Sequence, residues 1–444
     1  MSRTVKVIGA GLAGSEAAFQ IAEAGVPVEL YEMKPTKRTP AHSSDLFGEL
    51  VCSNSLRSLQ ITNAAGMLKD ELRLLNSLIM KAADASSVPA GAALAVDRVK
   101  FSEFITNAIK NHPNITVIEK EVTAIPDDDG ITVIASGPLT SDALAASISG
   151  FFGSKGLSFF DAAAPIVDAT SIDRSIVFAQ SRYDKGDADY LNCPMDKEQY
   201  QSFYDALVNA EEAALHDFDR EEQKKLTVFE GCMPVEVMAK RGVDTLRFGP
   251  LKPVGLTDPR TGREPYACIQ LRAENKEKTM YNLVGFQTHL TVSEQKRVFR
   301  MIPGLENAEF LRYGVMHRNT YLDSPGRLSP TYGTVVRPTL FFAGQMTGVE
   351  GYIESTASGL VAGLNAAALA RERAPIVFPT TTVIGSMADY VSRGGTGKFQ
   401  PMNANFGLIP SLEKKVKGGK TARNEALYHR GIDDLKAFIE TLTA

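Results

Sequence analysis

Val5-Lys-Val-Ile-Gly-Ala-Gly-Leu-Ala-Gly14 is the stretch of sequence that decides the fold. Its first residues have the composition of a buried strand, and Ser15 to Ala24 has the apolar periodicity of a helix that Gly25 closes. Three glycines lie between strand and helix. The first permits a tight turn, the second lets the backbone approach a pyrophosphate closely, and the third allows the helix to pack on the sheet. The stretch therefore predicts a dinucleotide-binding βαβ unit with contacts from Gly9, Ala10, Gly11, Leu12, Ala13 and Gly14.

A carboxylate stands at the end of the second predicted strand. Pro27 to Met33 has strand composition and carries Glu32, at the position where an acid accepts hydrogen bonds from the adenosine ribose of a bound dinucleotide. NAD and FAD both fit such a turn, because the motif binds the dinucleotide portion that the two cofactors share and makes no contact with the nicotinamide or flavin ring. The choice between them depends on another part of the chain.

A second glycine turn lies near the far end of the sequence. Thr339 to Gln345 is a predicted buried strand ending in glycine, and the following glycines precede a helix that begins near Glu354. A helix N-terminus at a flavin ring stabilises the anionic reduced form, which a hydride donor requires. We therefore predict FAD, with contacts from Gly344, Gln345, Gly351 and Glu354. The alternative is a plain βα unit that only closes the sheet.

The chain has 444 residues, enough for two lobes with a cleft between them. The predicted fold class is α/β, a Rossmann-like FAD-binding domain with an inserted smaller α+β domain. Residues 1–175 and 320–444 form the predicted FAD-binding domain, and residues 176–319 form the insertion, where the βαβ rhythm does not return. Residues 34–65 are rich in Pro, Ser, Thr and Asn and are predicted to be a functional loop.

Local patterns predict further elements. Leu68 to Ile79 has helical spacing, and Asp196 is a predicted N-cap of another helix. Ile115 to Ile125 and Ile131 to Ser136 have strand composition and flank Asp127-Asp-Asp-Gly130, a strong turn sequence. These two strands are therefore predicted to form an antiparallel hairpin off the main sheet.

Composition limits the class of protein. The chain is 44% hydrophobic and 23% charged, and it contains no run approaching the roughly 18 apolar residues of a membrane span. No secretory pattern precedes the first strand, so we expect a cytoplasmic protein without a membrane partner. The four cysteines lack the close CxxC pairs of metal sites, so no metal is expected.

Two basic segments are candidates for binding nucleic acid, although the net charge of the chain is −4. Clustered cations suit phosphates, whereas the alternative is a solvated helix face. The first segment lies in a tail that is predicted to be helical from residue 411, and the second lies in the predicted insertion. Their cations are Lys414, Lys415, Lys417, Lys420, Arg423 and Arg430 in the tail, and Arg241, Arg247, Lys252, Arg260 and Arg263 in the insertion.

The cysteines fall into two groups. Cys52 and Cys232 lie in polar, turn-forming segments, where reactive thiols are found. The alternative for each is a small buried hydrophobic residue, which is the role predicted for Cys193 and Cys268. Residue chemistry alone leaves both possibilities open for Cys52 and Cys232.

Four segments together resemble one family of bacterial flavoproteins. They are Val7 to Ala18, Leu50 to Arg57, Phe229 to Glu236 and Phe342 to Ser355. The resemblance is to the folate- and FAD-dependent tRNA (uracil-5)-methyltransferases, the TrmFO family, and it spans nearly the whole chain. The cysteine segments are its specific part, because the glycine turns are shared with the related GidA/MnmG flavoproteins.

The resemblance implies an activity and two catalytic residues. The implied reaction is methylation of the T-loop uridine at tRNA position 54, with 5,10-methylenetetrahydrofolate as carbon source and NAD(P)H as reductant of the FAD. It also implies that Cys232 attacks the uracil and that Cys52 acts beside the flavin. The alternatives are a GidA-like enzyme of another tRNA uridine and a small-molecule FAD oxidoreductase.

Overall fold

The computed structural model describes residues 4–39, 42–153, 157–162, 164–184, 187–213, 233–273, 278–314, 316–394, 399, 401–414 and 416–443. Within these ranges the chain forms two lobes, each with its own sheet and apolar core. No helix in this part of the chain combines the length and hydropathy required to cross a bilayer.

Short strands make up the sheets of the described chain. They are β1 Val5–Ile8, β2 Val28–Glu32, β3 Ser55–Ser58, β4 Ser87–Val88, β5 Ala93–Val96, β6 Ile115–Glu119, β7 Ile131–Ile134, β8 Leu157–Ala162, β9 Ile166–Asp168, β10 Phe178–Ala179, β11 Tyr190–Met195, β12 Ala267–Ala273, β13 Met280–Leu283, β14 Phe310–Arg312, β15 Met316–Tyr321 and β16 Leu340–Phe342.

Helices cover the first sheet and surround the second. They are α1 Leu12–Glu23, α2 Ala64–Leu74, α3 Leu78–Ala85, α4 Arg98–Lys110, α5 Asp142–Phe152, α6 Lys197–Val208, α7 Val235–Ala239, α8 Thr245–Phe248, α9 Val292–Phe299, α10 Tyr352–Ala370, α11 Val383–Arg393 and α12 Gly419–Thr443.

The first lobe is built on a five-stranded sheet in the order β16-β7-β1-β2-β6. Every pairing in it is parallel, with Val7 of β1 between Leu30 of β2 and Val133 of β7. Parallel strands are buried on both faces, which accounts for their near-continuous apolar sequences. The α/β, Rossmann-like class predicted from the first glycine turn is confirmed.

The predicted hairpin between residues 115 and 136 is wrong. β6 pairs in parallel with β2 at one edge of the sheet, while β7 lies between β1 and β16. The Asp128 carboxylate does accept the backbone N–H of Gly130, so the local turn exists. A tight turn can join only antiparallel neighbours, however, and here the connecting chain crosses the sheet end to reach a parallel strand.

The second lobe contains a six-stranded antiparallel sheet in the order β10-β11-β12-β13-β9-β14. The strand of this sheet that comes first in the sequence, β9, lies before the predicted domain boundary at residue 176. A ribbon of β8 and β15 and a small sheet of β3, β5 and β4 complete the strand pairing of the described residues. The lobe matches the smaller α+β domain predicted from sequence, and the exact division at residues 175 and 319 stays a prediction.

The helix predicted over residues 68–79 is two helices. Asn76 adopts a left-handed φ of 61° and separates α2 from α3. The buried Glu16 carboxylate accepts hydrogen bonds from Ser77 Oγ at 2.7 Å and from the Ile79 N–H at 3.0 Å. A carboxylate that satisfies the open N–H groups at a helix start favours a new helix at that point.

Two other local predictions hold. Asp196 caps α6 in a full capping box with Gln199. The tail predicted as helical from residue 411 contains α12, which begins at Gly419. In the loop predicted over residues 34–65, the described residues are irregular apart from β3 and the start of α2.

Helices α1 and α10 approach each other at backbone contact. A Cβ added to Gly359 would lie 2.2 Å from the carbonyl oxygen of Ala13, and one added to Gly363 would lie 2.8 Å from the Cα of Ala17. Only residues without a Cβ permit this separation. The contact brings the start of α1 and the start of α10 to one place, although the two helices are far apart in sequence.

We predict that Gly359→Ala lowers the free energy of unfolding by about 1 to 3 kcal/mol, because the new methyl group must force the helices apart. Urea unfolding followed by circular dichroism measures the change. Gly150→Ala is the matched control: Gly150 is exposed in α5 with no atom within 4 Å of an added Cβ. Alanine is favoured there by about 0.5 to 1 kcal/mol. Equal stabilities of the two variants would contradict the packing argument.

Candidate active site

The first glycine turn has the geometry that a bound pyrophosphate needs. Gly9 has a φ of 99°, and a Cβ there would lie 2.7 Å from the carbonyl oxygen of Ala135. A Cβ on Gly11, in contrast, would have no atom within 4 Å, so this residue faces open space. A Cβ on Gly14 would lie 1.8 Å from the Gly9 carbonyl oxygen. Gly9 and Gly14 thus permit packing, and Gly11 permits close approach of a ligand.

Glu32 joins the turn to the second strand. Its buried carboxylate accepts the Ala10 N–H through Oε2 at 2.7 Å and the Lys34 N–H through Oε1 at 3.0 Å. Each carboxylate oxygen can accept a second hydrogen bond. Glu32 therefore stiffens the turn and retains the capacity to accept a ribose hydroxyl.

The second glycine turn meets the first. Gly344 has a φ of 86°, and a Cβ on it would lie 3.1 Å from the Ala13 side chain. Glu354, 1% exposed in the first turn of α10, accepts Arg57 Nη1 at 2.9 Å and the Ala404 N–H at 3.0 Å, both through Oε1. Its Oε2 atom is buried and has no hydrogen-bond partner among the described residues.

A cavity of about 370 Å³ is enclosed by these two turns. Gly14 is the one predicted cofactor contact that does not line it, which agrees with its packing position. The open space at Gly11 and the uncompensated Oε2 atom of Glu354 fit a bound polar cofactor better than solid packing. The predicted contacts that line the cavity are Gly9, Ala10, Gly11, Leu12, Ala13, Glu32, Gly344, Gln345, Gly351 and Glu354.

A second cavity, of about 410 Å³, lies between the lobes. Cys52 and Ser53 contribute to it from the first lobe, and Arg272 and Asn282 contribute from the sheet of the second. Cys52, Ser53 and Gln287 also line the first cavity. The two cavities therefore adjoin at the Cys52 segment.

Arginines from both lobes hold the segment that carries Cys52. Arg98 donates to the carbonyl oxygens of Leu50 and, at 3.3 Å, of Cys52. Arg312, at the end of β14, donates to the Val51 carbonyl oxygen at 2.5 Å. Hydrogen bonds from a charged donor contribute about 1.5 to 3 kcal/mol each. The segment is therefore held as firmly as a regular element.

The other side of the same segment is fixed by side chains of β12 and α10. Arg272 donates to Ser53 Oγ at 2.6 Å and to Asn54 Oδ1 at 2.9 Å. The Tyr352 hydroxyl accepts the N–H groups of Cys52 at 2.8 Å and Ser53 at 3.3 Å. Burial raises the pKa of Tyr352, so the hydroxyl stays protonated at neutral pH.

The other three cysteines differ in location and burial. Cys232 lies outside the described residues, and the next residue, Met233, lines the cavity between the lobes. Cys193 and Cys268 are fully buried, as predicted. Burial raises the pKa of both thiols, that of Cys268 to about 12. The part of the chain that the structure describes contains no disulfide involving Cys52, Cys193 or Cys268 and no cluster of three or more potential metal ligands.

Comparison with known proteins identifies the family. The family model for glucose inhibited division protein A matches residues 4–374. A protein of Lacticaseibacillus paracasei, named methylenetetrahydrofolate–tRNA-(uracil-5-)-methyltransferase TrmFO, is 60% identical over 435 residues, covering 98% of this chain and 97% of the relative. The protein of the same name from Enterococcus faecalis is 58% identical over 442 residues, covering 100% of both. The chain belongs to the TrmFO family.

Solved structures agree with this TrmFO assignment at the level of the fold. Two crystal forms of Aquifex aeolicus GidA each superpose with a TM-score of 0.70, at 18% and 19% sequence identity. They cover 98% and 99% of this chain, and 74% and 76% of the GidA chain. The superposition covers nearly the whole chain, so the two proteins share one flavoprotein fold.

The TrmFO-family chain has a buried ionic cluster that no sequence pattern predicted. His289 is 2% exposed and lies between Glu212, 2.7 Å from Nε2, and Glu236, 2.7 Å from Nδ1. Lys240 also pairs with Glu212. Burial alone would lower the pKa of His289, but the two carboxylates outweigh burial and raise it to about 9. The hydrogen bond to His289 in turn lowers the pKa of Glu212 to about 2.

This cluster fixes the chain next to the Cys232 segment. Glu236 also accepts Thr288 Oγ1 at 2.8 Å and the His289 N–H at 2.9 Å. Val235 donates to the carbonyl oxygen of Gln287 at 2.8 Å. The start of α7 is thereby joined to a residue that lines both cavities. The partners are separated by 53 residues in sequence, so local patterns could not reveal them.

The basic residues of the TrmFO-family chain differ in how exposed they are to solvent, and hence in whether they can contact phosphates. Lys414, Lys417, Lys420 and Arg423 are exposed, whereas Arg430 donates to the carbonyl oxygens of Pro410 and Ser411. Lys415 lies outside the described residues. In the second lobe, Arg247 and Arg260 pair with Asp244 and Asp258, and Arg241, Lys252, Arg260 and Arg263 are exposed.

We predict that Gly11→Val yields folded, colourless protein, because its side chain would occupy the cavity without meeting protein atoms. The flavin absorbance of the purified variant and its thermal unfolding midpoint measure the two effects. The wild type is expected to release FAD and no FMN on denaturation. Gly14→Ala is the contrasting variant, since its methyl group strikes the Gly9 backbone and lowers stability first. Yellow Gly11→Val protein would exclude this turn as the cofactor site.

We also predict a pH-dependent loss of stability from His289. Because its folded pKa is raised from 6.5 to about 9, its contribution is complete below pH 6.5 and disappears as pH rises through 9. The expected loss is on the order of 3 kcal/mol. His289→Asn should lack it, so the difference between wild type and variant in urea unfolding from pH 6 to 10 isolates the effect. Lys69 and Glu71, each with a pKa of about 8, titrate in both proteins. A pH-independent difference would refute the assignment.

Proposed function

We propose that the chain methylates carbon 5 of a uridine in tRNA, with 5,10-methylenetetrahydrofolate as carbon source and FAD as the bound cofactor. The observation that carries the proposal is the pair of adjoining cavities, one formed by the glycine turns and one between the lobes, with Cys52 on both. Two relatives named for this reaction are 58% and 60% identical to the chain. The resemblance of the cysteine segments favours the T-loop uridine at position 54 as target.

FAD fits the first cavity by the chemistry of its walls. Gly11 gives the pyrophosphate access to the backbone, Glu32 can accept a ribose hydroxyl, and α10 directs its N-terminus at the cavity. When bound and reduced, FAD supplies the two electrons that take the carbon from the formaldehyde level to methyl. Arg57 partly balances the Glu354 carboxylate beside this site.

The nucleophile proposed for the uracil is Cys232. Carbon 5 of uracil reacts poorly until a thiolate adds to carbon 6. That addition forms a C–S bond and moves the electrons of the 5,6 double bond onto carbon 5, which then attacks the one-carbon unit. Loss of the carbon 5 proton afterwards expels the thiolate and restores the double bond. Support comes from the polar Phe229 to Glu236 segment and from Met233 on the interlobe cavity.

Cys52 is proposed to act beside the flavin. It lies where the two cavities meet, and its segment is held by Arg98, Arg272 and Arg312. A fixed thiol at this junction is in position to assist transfer between a cofactor in one cavity and a base in the other. Cys52 is therefore assigned to the transfer step and not to attack on the uracil.

Three further partners belong to the proposal. NAD(P)H is proposed to re-reduce the FAD after each methylation, as the family resemblance implies. Phosphates of tRNA are proposed to contact the exposed cations Lys414, Lys417, Lys420 and Arg423. A cytoplasmic location is proposed because the substrates, tRNA and reduced folate, are found there.

The test of this function is a product assay. Purified protein, unmodified tRNA, NAD(P)H and methylenetetrahydrofolate labelled in its one-carbon unit are expected to yield labelled 5-methyluridine in the T-loop. Nucleoside analysis identifies the product and ribonuclease mapping its position. A different modified uridine would favour a GidA-like enzyme, and flavin turnover without RNA modification would favour a small-molecule oxidoreductase.

We predict that tRNA carrying 5-fluorouridine at the target traps a complex that survives denaturing electrophoresis. Once the one-carbon unit has joined carbon 5, fluorine there cannot leave as a proton leaves, so the C–S bond to carbon 6 persists; the reaction therefore contains the methylene donor and reduced flavin. Cys232→Ala should retain FAD, because residue 232 lies outside both glycine turns, and should form neither complex nor product. Cys52→Ala is the contrasting variant: it keeps the proposed nucleophile and is expected to form the complex more slowly without abolishing it. The reverse pattern in the two variants would exchange the roles of the cysteines.

A further inference from the structure

One residue that lines the cavity between the lobes has an uncompensated amide nitrogen. Asn282 lies in β13, is 2% exposed and lines the cavity. Its Nδ2 atom is buried and has no hydrogen-bond partner among the described residues. A buried donor without an acceptor costs about 1 to 3 kcal/mol. Such a residue is a candidate for a ligand contact, since an acceptor arriving with the ligand would remove the penalty.

The size and position of the cavity suit a nucleobase. Its volume, about 410 Å³, falls within the range of about 300 to 1,000 Å³ that small-molecule sites occupy. Cys52 and Ser53 separate it from the cavity proposed for FAD. A base bound here would lie against the flavin site, outside the RNA stack, as enzymes that act on a base require.

The rim of the cavity favours a nucleic acid over a folate as the occupant. Gly249 and Pro250 line the cavity, and the preceding residue, Phe248, is 83% exposed at the end of α8. Lys252 is also exposed on this connection. An exposed aromatic ring beside a cation is the combination that binds single-stranded RNA, by stacking on a base and neutralising a phosphate.

We infer that the interlobe cavity receives the target uracil and that Asn282 recognises its imide edge, with Phe248 stacking on a neighbouring base. The inference rests on the proposed function. Uracil presents an N3–H donor between two carbonyl acceptors. The Asn282 amide can donate from Nδ2 to a carbonyl oxygen and accept N3–H through Oδ1, which satisfies the donor that is uncompensated in the protein alone.

The test compares two stem-loop RNAs with the sequence of a T-arm. One carries uridine at the target, and the other carries N3-methyluridine, which lacks the N3–H and is too wide for the pairing. For wild type, kcat/KM for methylation is expected to fall about 10- to 100-fold with the modified RNA, the magnitude of one bidentate base contact. For Asn282→Ser, kcat/KM with uridine should fall by a similar factor, and the further effect of the N3-methyl group should shrink to about twofold.

Asn192→Ser is the matched control. Asn192 is fully buried in the same sheet, and its Nδ2 already donates to the Gln180 carbonyl oxygen at 2.9 Å. This variant is expected to have a lower unfolding midpoint but the wild-type ratio between the two RNAs. Asn282→Ser should retain FAD, and Asn282→Asp serves if the serine variant does not fold.

Three outcomes overturn the inference. They are the wild-type ratio in Asn282→Ser, a change in KM for the folate and not for RNA, and an N3-methyl effect that is already absent in wild type. Absence of 5-methyluridine from the wild-type reaction would instead refute the proposed function. The two failures are therefore distinguishable.

The role of Phe248 is tested by a separate measurement, the affinity for RNA. Phe248→Ala is expected to raise the Kd for the uridine stem-loop by about 5- to 100-fold, the effect of losing one stacked base. Val336→Ala is its control, because Val336 is 75% exposed but offers no aromatic face. Flavin content should be unchanged in both. Equal RNA affinity of wild type and Phe248→Ala would exclude the rim from the interface.

Discussion

The backbone contact between α1 and α10 is the constraint on which the rest of the structure depends. Gly359 lies directly over Ala13, and Gly344 approaches the Ala13 side chain, so the two glycine turns share one cavity. The parallel sheet provides the frame, because β1 and β16 both end at this edge. A side chain at the crossing would separate the turns and divide the cavity that they enclose.

Around that contact the chain uses charge to hold irregular backbone in place. The Cys52 residue and its neighbours before β3 lie outside helices and strands, and arginine side chains donate to the carbonyl oxygens of Leu50, Val51 and Cys52. In the second lobe, the His289 side chain and the His289 N–H both contact the Glu236 carboxylate at the start of α7. Charged side chains thus restrain backbone in both lobes.

The sequence could predict features whose cause is local. The first glycine turn, the strand that ends at Glu32 and the Asp196 cap depend on residues within one element or its neighbour, and the structure has them as predicted. The hairpin at Asp127 to Gly130 failed because turn chemistry does not decide which strand a segment pairs with. The break at Asn76 was missed because its cause, Glu16, lies on another helix.

In the candidate site, too, features with a local cause could be predicted from sequence and features with a long-range cause could not. The glycine turns could be located from sequence because backbone conformation restricts the residue type at those positions, whereas their contacts with a cofactor stay a prediction. Two residues give no signal in sequence: Arg312, which bonds a carbonyl oxygen 261 residues away, and Asn282, whose Nδ2 atom has no hydrogen-bond partner within the described chain. Polar contacts between lobes depend on tertiary packing alone. The catalytic assignments of Cys52 and Cys232 stay predictions that rest on the cysteine segments themselves.

The arginine contacts to the Cys52 segment have a consequence for motion. Arg98 and Tyr352 belong to the first lobe, whereas Arg272 and Arg312 belong to the second. Any hinge movement that widens the cleft to admit a folded RNA must therefore break hydrogen bonds to this one segment. The segment that carries the Cys52 thiol is thus also a tie between the two lobes.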